Sequence, residues 1–210
     1  MTAPCYKLVI FDFDGTLSDS GEWFLSIIDD LAERFRFRRV GPDEVEALRR
    51  RPTREVIRHL GIARWKLPLI ARHVRARFAA DAAGIHLFDG VRAMLSALGD
   101  ADVRMMLCSS NGEANVRAVL GKDAARFEAY FCGSGLFGKV AKFRRAVKAS
   151  GLPPAAILSI GDETRDIDAA REVGLAAAAV LWGYANPETL IAMKPDMTFA
   201  NPAEIVAYLT

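Results

Sequence analysis

Two aspartates, Asp12 and Asp14, come directly after a short apolar run near the start of the chain. The run, Leu8 to Phe11, has the length and composition of a buried strand. In open α/β sheets, ligands bind beyond the carboxyl ends of the strands. Two carboxylates at the end of a buried strand, followed by the turn residues Gly15 and Thr16, therefore predict the floor of an active site.

Polar side chains also stand where later apolar runs end or where the following helices begin: Ser109, Lys139, Asp162 and Asp166. Parallel strands place their carboxyl ends at one edge of a sheet. We therefore expect these four side chains to converge on one cleft with Asp12 and Asp14.

The combined set contains every group that hydrolysis of a phosphate ester requires. A carboxylate can attack phosphorus and form an acyl phosphate, which divides one difficult hydrolysis into two easier steps. A second carboxylic acid can protonate the leaving alkoxide and then deprotonate the attacking water. A hard cation such as Mg²⁺ must offset the repulsion between the carboxylate and the phosphoryl group. Hydroxyl, lysine and backbone N–H donors must hold the phosphoryl oxygens while charge is redistributed.

The elements that position these groups alternate between strands and helices from Phe88 onward. Apolar runs predict four further strands, at 103–108, 129–132, 157–160 and 175–181. Strands that are separated by helices imply right-handed βαβ units and a mostly parallel sheet. The predicted fold class is α/β, with a Rossmann-like core whose sheet is flanked by helices.

The segment after the first strand shows a different pattern, in which apolar side chains recur at three- and four-residue spacing. This spacing predicts amphipathic helices, and no strand is predicted between Gly21 and His86. We therefore expect a small all-helical cap, residues 21–87, inserted into a core of residues 1–20 and 88–210. A hinge at each boundary would let the cap close over a substrate and exclude water.

Composition excludes several classes of function. The chain is 51% hydrophobic and 26% charged, as a globular protein is, and its net charge of +2 gives no reason to expect nucleic acid or a membrane as partner. No apolar run reaches about 18 residues, and the first residues lack the features of a signal peptide. Three widely spaced cysteines provide no metal-ligand motif and no disulfide framework. We expect a cytoplasmic protein with reduced thiols, and the sequence leaves open whether it is a monomer or a homodimer.

Three segments resemble motifs of the haloacid dehalogenase-like (HAD) phosphohydrolase superfamily: Phe11-Asp-Phe-Asp-Gly-Thr-Leu-Ser-Asp19, Leu107-Cys-Ser-Ser-Asn111 and Gly161-Asp-Glu-Thr-Arg-Asp166. The helical insert after the first motif resembles the small C1 cap of the phosphoglycolate phosphatase-like branch, and Leu181-Trp-Gly-Tyr184 resembles the same branch. The resemblance implies a Mg²⁺-dependent phosphatase that hydrolyses a small organic phosphate monoester through an aspartyl-phosphate intermediate. Phosphoglycolate is the substrate that the resemblance implies by default.

The resemblance also implies a role for each matching residue. Asp12 would be the nucleophile and a Mg²⁺ ligand, and Asp14 would be the general acid and base, with its backbone carbonyl on the metal. Asp162 would be the third metal ligand. Asp166 would orient metal-bound waters, and Glu163 would support the ligands or replace one of them, as in some phosphomutase relatives.

Further residues would hold the substrate. Ser109 would bind a phosphoryl oxygen, and Lys139 would stabilise both the nucleophile and the phosphoryl charge. Contacts with the substrate are also expected from the turn after the first motif and from the residues that follow Ser109: Gly15, Thr16, Ser110 and Asn111.

The resemblance also implies a lysine motif between the second and the last of these three segments, and two lysines of this chain could supply it. Lys139 is followed by Val140, where members of this branch often have proline, and Lys142 lies one turn later on the same helix face. We favour Lys139 because it follows the Phe137-Gly138 loop at the start of the helix.

Other functions remain open. A phosphomutase would use the same groups but would return the phosphoryl group to its product. A regulatory protein could bind phosphate or accept a phosphoryl group without turnover, although a cap would have no purpose there. A haloacid dehalogenase is disfavoured because that branch lacks the second acid, Asp14.

The predicted cap carries a basic stretch in which Glu55 is the single acidic residue among seven cations: Arg54, Arg58, Arg64, Lys66, Arg72, Arg75 and Arg77. Such a run is usually a solvated helix face. The alternative is that one or two of these side chains face the cleft and bind an anionic leaving group.

Overall fold

Leu8–Phe11 forms a central strand of a six-stranded sheet in the computed structural model, which describes residues 6–133 and 138–210. The strands in chain order are β1 (Leu8–Phe11), β2 (Ser18–Asp19), β3 (His86–Leu87), β4 (Arg104–Cys108), β5 (Ala129–Phe131), β6 (Ile157–Gly161), β7 (Ala176–Val180) and β8 (Met197–Phe199). The large sheet has the order β5-β4-β1-β6-β7-β8, and all of its neighbouring strands run parallel. The predicted α/β fold with a parallel sheet is confirmed.

Helices connect the strands and cover both faces of the sheet. They are α1 (Gly21–Phe35), α2 (Val45–Arg49), α3 (Thr53–His59), α4 (Leu67–Asp81), α5 (Val91–Asp100), α6 (Glu113–Leu120), α7 (Lys139–Ser150), α8 (Thr164–Val173), α9 (Pro187–Ala192) and α10 (Pro202–Leu209). In β1, Val9 and Phe11 enter the core on one face, and Leu8 and Ile10 enter the core on the other. A strand buried on both faces is apolar throughout, which explains its continuous apolar run.

Three short strands lie outside the sequence predictions. β8 spans three residues, and β2 and β3 span two residues each. Strands of this length contain too few alternating side chains to be detected from periodicity. β2 and β3 pair antiparallel, with Ser18 opposite Leu87 and Asp19 opposite His86.

The helices α1 to α4 lie between β2 and β3, so this antiparallel ribbon stands where the chain enters and leaves residues 21–87, the helical segment. Phe78 of α4 is buried, and its ring centroid lies 6.3 Å from that of Phe13 in the loop after β1. Trp23 of α1 packs against Phe78, with 5.0 Å between the ring centroids. These rings join the helical segment to the loop that carries the two aspartates.

None of the helices in the described ranges combines the length and the apolar composition needed to span a membrane. The cytoplasmic location and the choice between monomer and homodimer stay predictions.

Candidate active site

Asp12 lies at the carboxyl end of β1, which is flanked by β4 and β6. Its carboxylate is buried, and Oδ2 lies 2.8 Å from Nζ of Lys139, the first residue of α7. The same ammonium group lies 2.6 Å from Oδ1 of Asp166 in α8. One lysine therefore bridges two buried carboxylates.

The pKa values of these groups reflect burial and mutual attraction. Burial raises the pKa of Asp12, and the positive charge of Lys139 opposes that shift. Burial by itself would lower the pKa of Lys139, but Asp12 and Asp166 raise it above its ordinary value. The lysine therefore keeps its charge in this buried position.

Asp14 is half-buried beside this group. Its carboxylate accepts hydrogen bonds from Oγ of Ser20 at 3.1 Å and from Nδ2 of Asn111 at 3.3 Å. Burial and the charge of Asp12 raise the pKa of Asp14 to about 6, although the two hydrogen bonds favour its ionised form. A carboxyl group with this pKa can both donate and accept a proton near neutral pH.

Asp162 follows β6 and is fully buried between two distant loops. Its carboxylate accepts hydrogen bonds from the hydroxyl of Thr16 and from the backbone N–H of Tyr184, both at 2.8 Å. A Cβ atom at Gly15 or at Gly183 would overlap with Asp162, and the φ of Gly15 is +80°. Burial and neighbouring carboxylates raise the pKa of Asp162 well above its ordinary value. Thr16, predicted to contact substrate, here holds Asp162.

The residues after β4 place a hydroxyl and an amide beside Asp14. Oγ of Ser109 accepts a hydrogen bond from the backbone N–H of Asn111 at 2.9 Å and lies 3.5 Å from Oδ2 of Asp14. Asn111 bridges Asp14 to the backbone at the start of α6, because its Oδ1 accepts a hydrogen bond there at 2.8 Å. The carbonyl of Ser110 accepts a hydrogen bond from Arg75 of the helical segment at 3.2 Å.

The two lysines considered for the lysine motif, Lys139 and Lys142, have different contacts. Lys139 reaches Asp12, whereas Lys142 is buried and donates to the backbone carbonyl of Ser109 at 2.5 Å. Burial lowers the pKa of Lys142 to about 8, and the positive charge of Lys139 adds to this shift. Lys142 therefore supports the loop after β4, and Lys139 is the lysine beside the predicted nucleophile.

Three carboxylates together could hold a metal ion. Oxygens of Asp12, Asp162 and Asp166 lie within 4.8 Å of one another, and all three residues are buried. Carboxylate oxygens suit Mg²⁺. The raised pKa values of Asp12 and Asp162 reflect a desolvated cluster of like charges that a cation would stabilise. These residues fit a divalent cation, and Asp166, predicted to orient metal-bound waters, belongs to the same group.

Glu163 and Asp166 form a capping box at the start of α8. The backbone N–H of Glu163 donates to Oδ2 of Asp166 at 3.1 Å. This cap lets α8 begin at Thr164. The carboxylate of Glu163 also accepts hydrogen bonds from Arg165 and from Thr53 of α3, each at 2.5 Å.

Three residues of the site were missed from the sequence: Ser20, Arg165 and Tyr184. The hydroxyl of Tyr184 lies 2.6 Å from Oγ of Ser20, which in turn donates to Asp14. Burial would lower the pKa of Arg165, but the surrounding carboxylates raise it overall. Tyr184 could have been found, because the segment Leu181-Trp-Gly-Tyr184 resembles the same branch. Arg165 lies in the segment Gly161–Asp166, at a position where the motif specifies no residue type.

Side chains of the helical segment reach the loops of the site. Arg49, at the end of α2, donates to the backbone carbonyls of Gly183 and Tyr184 at 3.1 and 2.8 Å. Together with the contacts of Thr53 and Arg75, these hydrogen bonds join α2, α3 and α4 to three different loops at the sheet edge.

Known proteins resemble this chain in sequence and in fold. A protein-family model described as "Haloacid dehalogenase-like hydrolase" matches residues 9–180. Phosphoglycolate phosphatase from Synechococcus elongatus is 31% identical over 206 residues, which cover 97% of each chain. Among solved structures, a haloacid dehalogenase-like hydrolase from Streptococcus pneumoniae has a TM-score of 0.80 at 18% identity and full coverage of both chains, 100% and 100%. CbbY from Rhodobacter sphaeroides has a TM-score of 0.74 at 20% identity, covering 97% of this chain and 99% of that one.

The match spans both the predicted site and the helical segment. The chain therefore belongs to the haloacid dehalogenase-like hydrolases, in their phosphoglycolate phosphatase-like branch, and is a hydrolase of phosphate monoesters.

Proposed function

We propose that this protein hydrolyses a small organic phosphate monoester in a Mg²⁺-dependent reaction in which Asp12 carries the phosphoryl group. The observation that carries this proposal is the buried carboxylate of Asp12 at the end of β1, held 2.8 Å from Lys139. A buried aspartate beside a lysine and a second carboxylic acid has the two functions that covalent phosphoryl transfer needs, a nucleophile and a proton donor.

In the first step, a carboxylate oxygen of Asp12 attacks phosphorus. The bond between phosphorus and the ester oxygen breaks, and Asp14 donates its proton to that oxygen, so the alcohol leaves neutral. Lys139 stabilises the negative charge on the phosphoryl oxygens, and Ser109 donates a hydrogen bond to one of them.

In the second step, water attacks the phosphorus of the aspartyl phosphate. Asp14, now ionised, accepts a proton from that water, and the bond between phosphorus and Asp12 breaks. Inorganic phosphate leaves, and both aspartates return to their starting states. The products are one alcohol and one phosphate for each water consumed.

The residues that would hold Mg²⁺ are Asp12 and Asp162 through their carboxylates and Asp14 through its backbone carbonyl, with Asp166 beside them. When bound, the ion supplies positive charge that offsets the repulsion between the nucleophile and the phosphoryl group. Support for this comes from the buried carboxylates within 4.8 Å of one another.

We also propose that residues 21–87 act as a cap on the core formed by residues 1–20 and 88–210. The antiparallel ribbon at both ends of the segment and the contacts of Arg49 and Thr53 with the loops of the site support this division. A closed cap would exclude water from Asp12 while the aspartyl phosphate forms.

The test is Mg²⁺-dependent release of phosphate from a panel of metabolites by the wild type and by Asp12→Asn. The substitution should reduce release at least about a thousandfold, because the amide is not a nucleophile. Asp168→Asn, at an exposed position of α8, is the matched control and should remain active. Full activity of the Asp12 variant would overturn the mechanism.

The same panel separates the alternatives. Isomerised sugar phosphate without release of free phosphate would instead indicate a phosphomutase. Phosphate binding without turnover of any substrate would indicate a regulatory protein.

A further inference from the structure

A cavity of 410 Å³ lies between the helical segment and the loops at the carboxyl edge of the sheet. Its walls are formed largely by apolar side chains from both parts of the protein, among them Phe24, Ile28, Leu48, Val56, Phe88 and Trp182. The volume is that of a site for a small molecule and is far larger than a glycolate.

The cavity is connected to the reacting groups through residues beside them, although neither Asp12 nor Asp14 lines it. Tyr184 and Glu163 both line it. The hydroxyl of Tyr184 is hydrogen-bonded to Ser20, and Ser20 donates to Asp14, the proposed proton donor to the leaving oxygen. Glu163 is the residue next to Asp162. The leaving group of an ester whose phosphorus lies at Asp12 would enter this cavity if it extended past Tyr184.

The charges around the cavity do not favour an anion. The described residues that line it include three acids and two cations: Asp19, Glu22, Glu163, Arg49 and Arg51. The guanidinium of Arg49 is already engaged by two backbone carbonyls, and Arg51 is exposed, where water screens its charge. A carboxylate placed among the apolar walls would lose hydration without gaining a buried cationic partner.

The basic stretch of the helical segment does not change this balance. None of its seven cations lines the cavity. Arg75, which reaches a loop of the site, donates to the backbone carbonyl of Ser110. The idea that one of these side chains binds an anionic leaving group therefore has no support from the cavity.

We propose that the leaving group of the substrate is an uncharged, apolar alcohol, aromatic or branched aliphatic, which binds in this cavity, and that phosphoglycolate is a poor substrate. The inference rests on the proposed function, since it assigns the substrate class of the same site. Binding of such a leaving group would be driven by the removal of apolar surface from water. The carboxylate of phosphoglycolate would make no such contribution.

Three substrates separate the effect of apolar area from that of charge: benzyl phosphate, ethyl phosphate and phosphoglycolate. All three are esters of primary alcohols, so a difference does not simply reflect an activated aryl leaving group. For the wild type with Mg²⁺, we expect kcat/KM for benzyl phosphate to exceed that for phosphoglycolate at least about tenfold, with ethyl phosphate between them. A preference for phosphoglycolate over benzyl phosphate would overturn the inference.

A variant of the cavity wall tests the location. Val56 lies in α3, outside the groups that touch the reacting atoms, and Val56→Lys would add a cation to the wall. This change should lower kcat/KM for benzyl phosphate about tenfold and raise it for phosphoglycolate, whereas Val56→Met, long but uncharged, should keep the wild-type order. Identical substrate preferences in all three proteins would place the leaving group elsewhere and contradict the proposal.

A binding measurement distinguishes failure of this inference from failure of the proposed function. Benzylphosphonate and phosphonoacetate cannot be hydrolysed, so their affinities for the wild type do not depend on turnover. We expect calorimetry to give at least about tenfold tighter binding of benzylphosphonate. Tighter binding without hydrolysis of any ester would contradict the proposed function alone, and tighter binding of phosphonoacetate would contradict the inference alone.

Discussion

Nζ of Lys139 lies 2.8 Å from Oδ2 of Asp12, and both side chains are almost completely withdrawn from water. Because Asp166 shares the same ammonium group, a single cation stabilises two buried carboxylates. A charge pair of this kind is held tightly, since removing one partner leaves the other buried without compensation.

Lys139→Met should therefore affect both activity and stability. We expect kcat for phosphate release to fall about 100- to 1000-fold, and the free energy of unfolding to fall by about 3 kcal/mol. Urea unfolding and a phosphate assay measure the two effects. Lys148→Met, at an exposed position of the same helix, should change neither. Unchanged turnover in the first variant would contradict the assignment of Lys139.

The lowered pKa of Lys142 predicts that its contribution to stability changes with pH. Its pKa in the folded protein is lowered to about 8 from 10.5, so between these values the unfolded state binds more protons than the folded state. The contribution of Lys142 to stability is therefore least favourable below about pH 8 and becomes more favourable as the pH rises toward 10.5. The difference in unfolding free energy between wild type and Lys142→Met should shift in favour of the wild type over this range. A difference that is constant or moves the other way would contradict the buried position of this ammonium group.

The turn at Gly15 predicts a large effect of one methyl group. A Cβ at this position would overlap with the carboxylate of Asp162, in addition to the strain of a positive φ. Gly15→Ala should lower stability by about 2 to 4 kcal/mol and activity at least about 100-fold.

Gly61→Ala separates strain from overlap. Gly61 has a φ of +67°, and a Cβ there would have no neighbour within 4 Å. We expect a loss of only about 1 kcal/mol in unfolding free energy and normal activity. Equal effects of the two substitutions would show that the contact with Asp162 is unimportant.

Thr53 connects the helical segment to the site through its 2.5 Å hydrogen bond with Glu163. Thr53→Val keeps the shape of the side chain and removes the donor, so the closed arrangement should become less stable relative to an open one. We predict a fall of about tenfold in kcat/KM with a melting temperature close to that of the wild type, because Glu163 keeps its contact with Arg165.

The control for Thr53 is Thr189→Val. Thr189 also joins the core to the helical segment, but its hydroxyl lies 3.5 Å from the carbonyl of Arg50, at the limit of a hydrogen bond. This variant should keep wild-type kcat/KM. If both threonine variants behave alike, the contact with Glu163 has no special role in closure.

Many of the residues at the carboxyl edge of the sheet could be predicted from the sequence, because parallel strands place their carboxyl ends together. Asp12, Ser109 and Asp162 each follow a strand of the parallel sheet, so the order of apolar runs was enough to bring them to one edge. Their residue types then limited the chemistry to that of carboxylates, a hydroxyl and a cation.

Contacts between distant loops could not be predicted in the same way. The hydrogen bond between Ser20 and Tyr184 and that between Thr53 and Glu163 join segments more than a hundred residues apart. No periodicity encodes such pairs, which depend on how the helical segment packs on the core. The choice between Lys139 and Lys142 likewise depended on where α7 begins relative to β1, because the two lysines share a helix face and differ by one turn along it.

The most direct test of the account is to find the phosphoryl group on the protein during turnover. The wild type is mixed with Mg²⁺ and an excess of benzyl phosphate or phosphoglycolate, and the reaction is quenched in acid. The protein is then digested, and the masses of its peptides are measured by mass spectrometry. We predict a phosphoryl group on Asp12, absent from Asp12→Asn and lost again when the substrate is exhausted. Steady release of phosphate with no labelled aspartate, or with the label on another residue such as Ser109, would contradict the central claim.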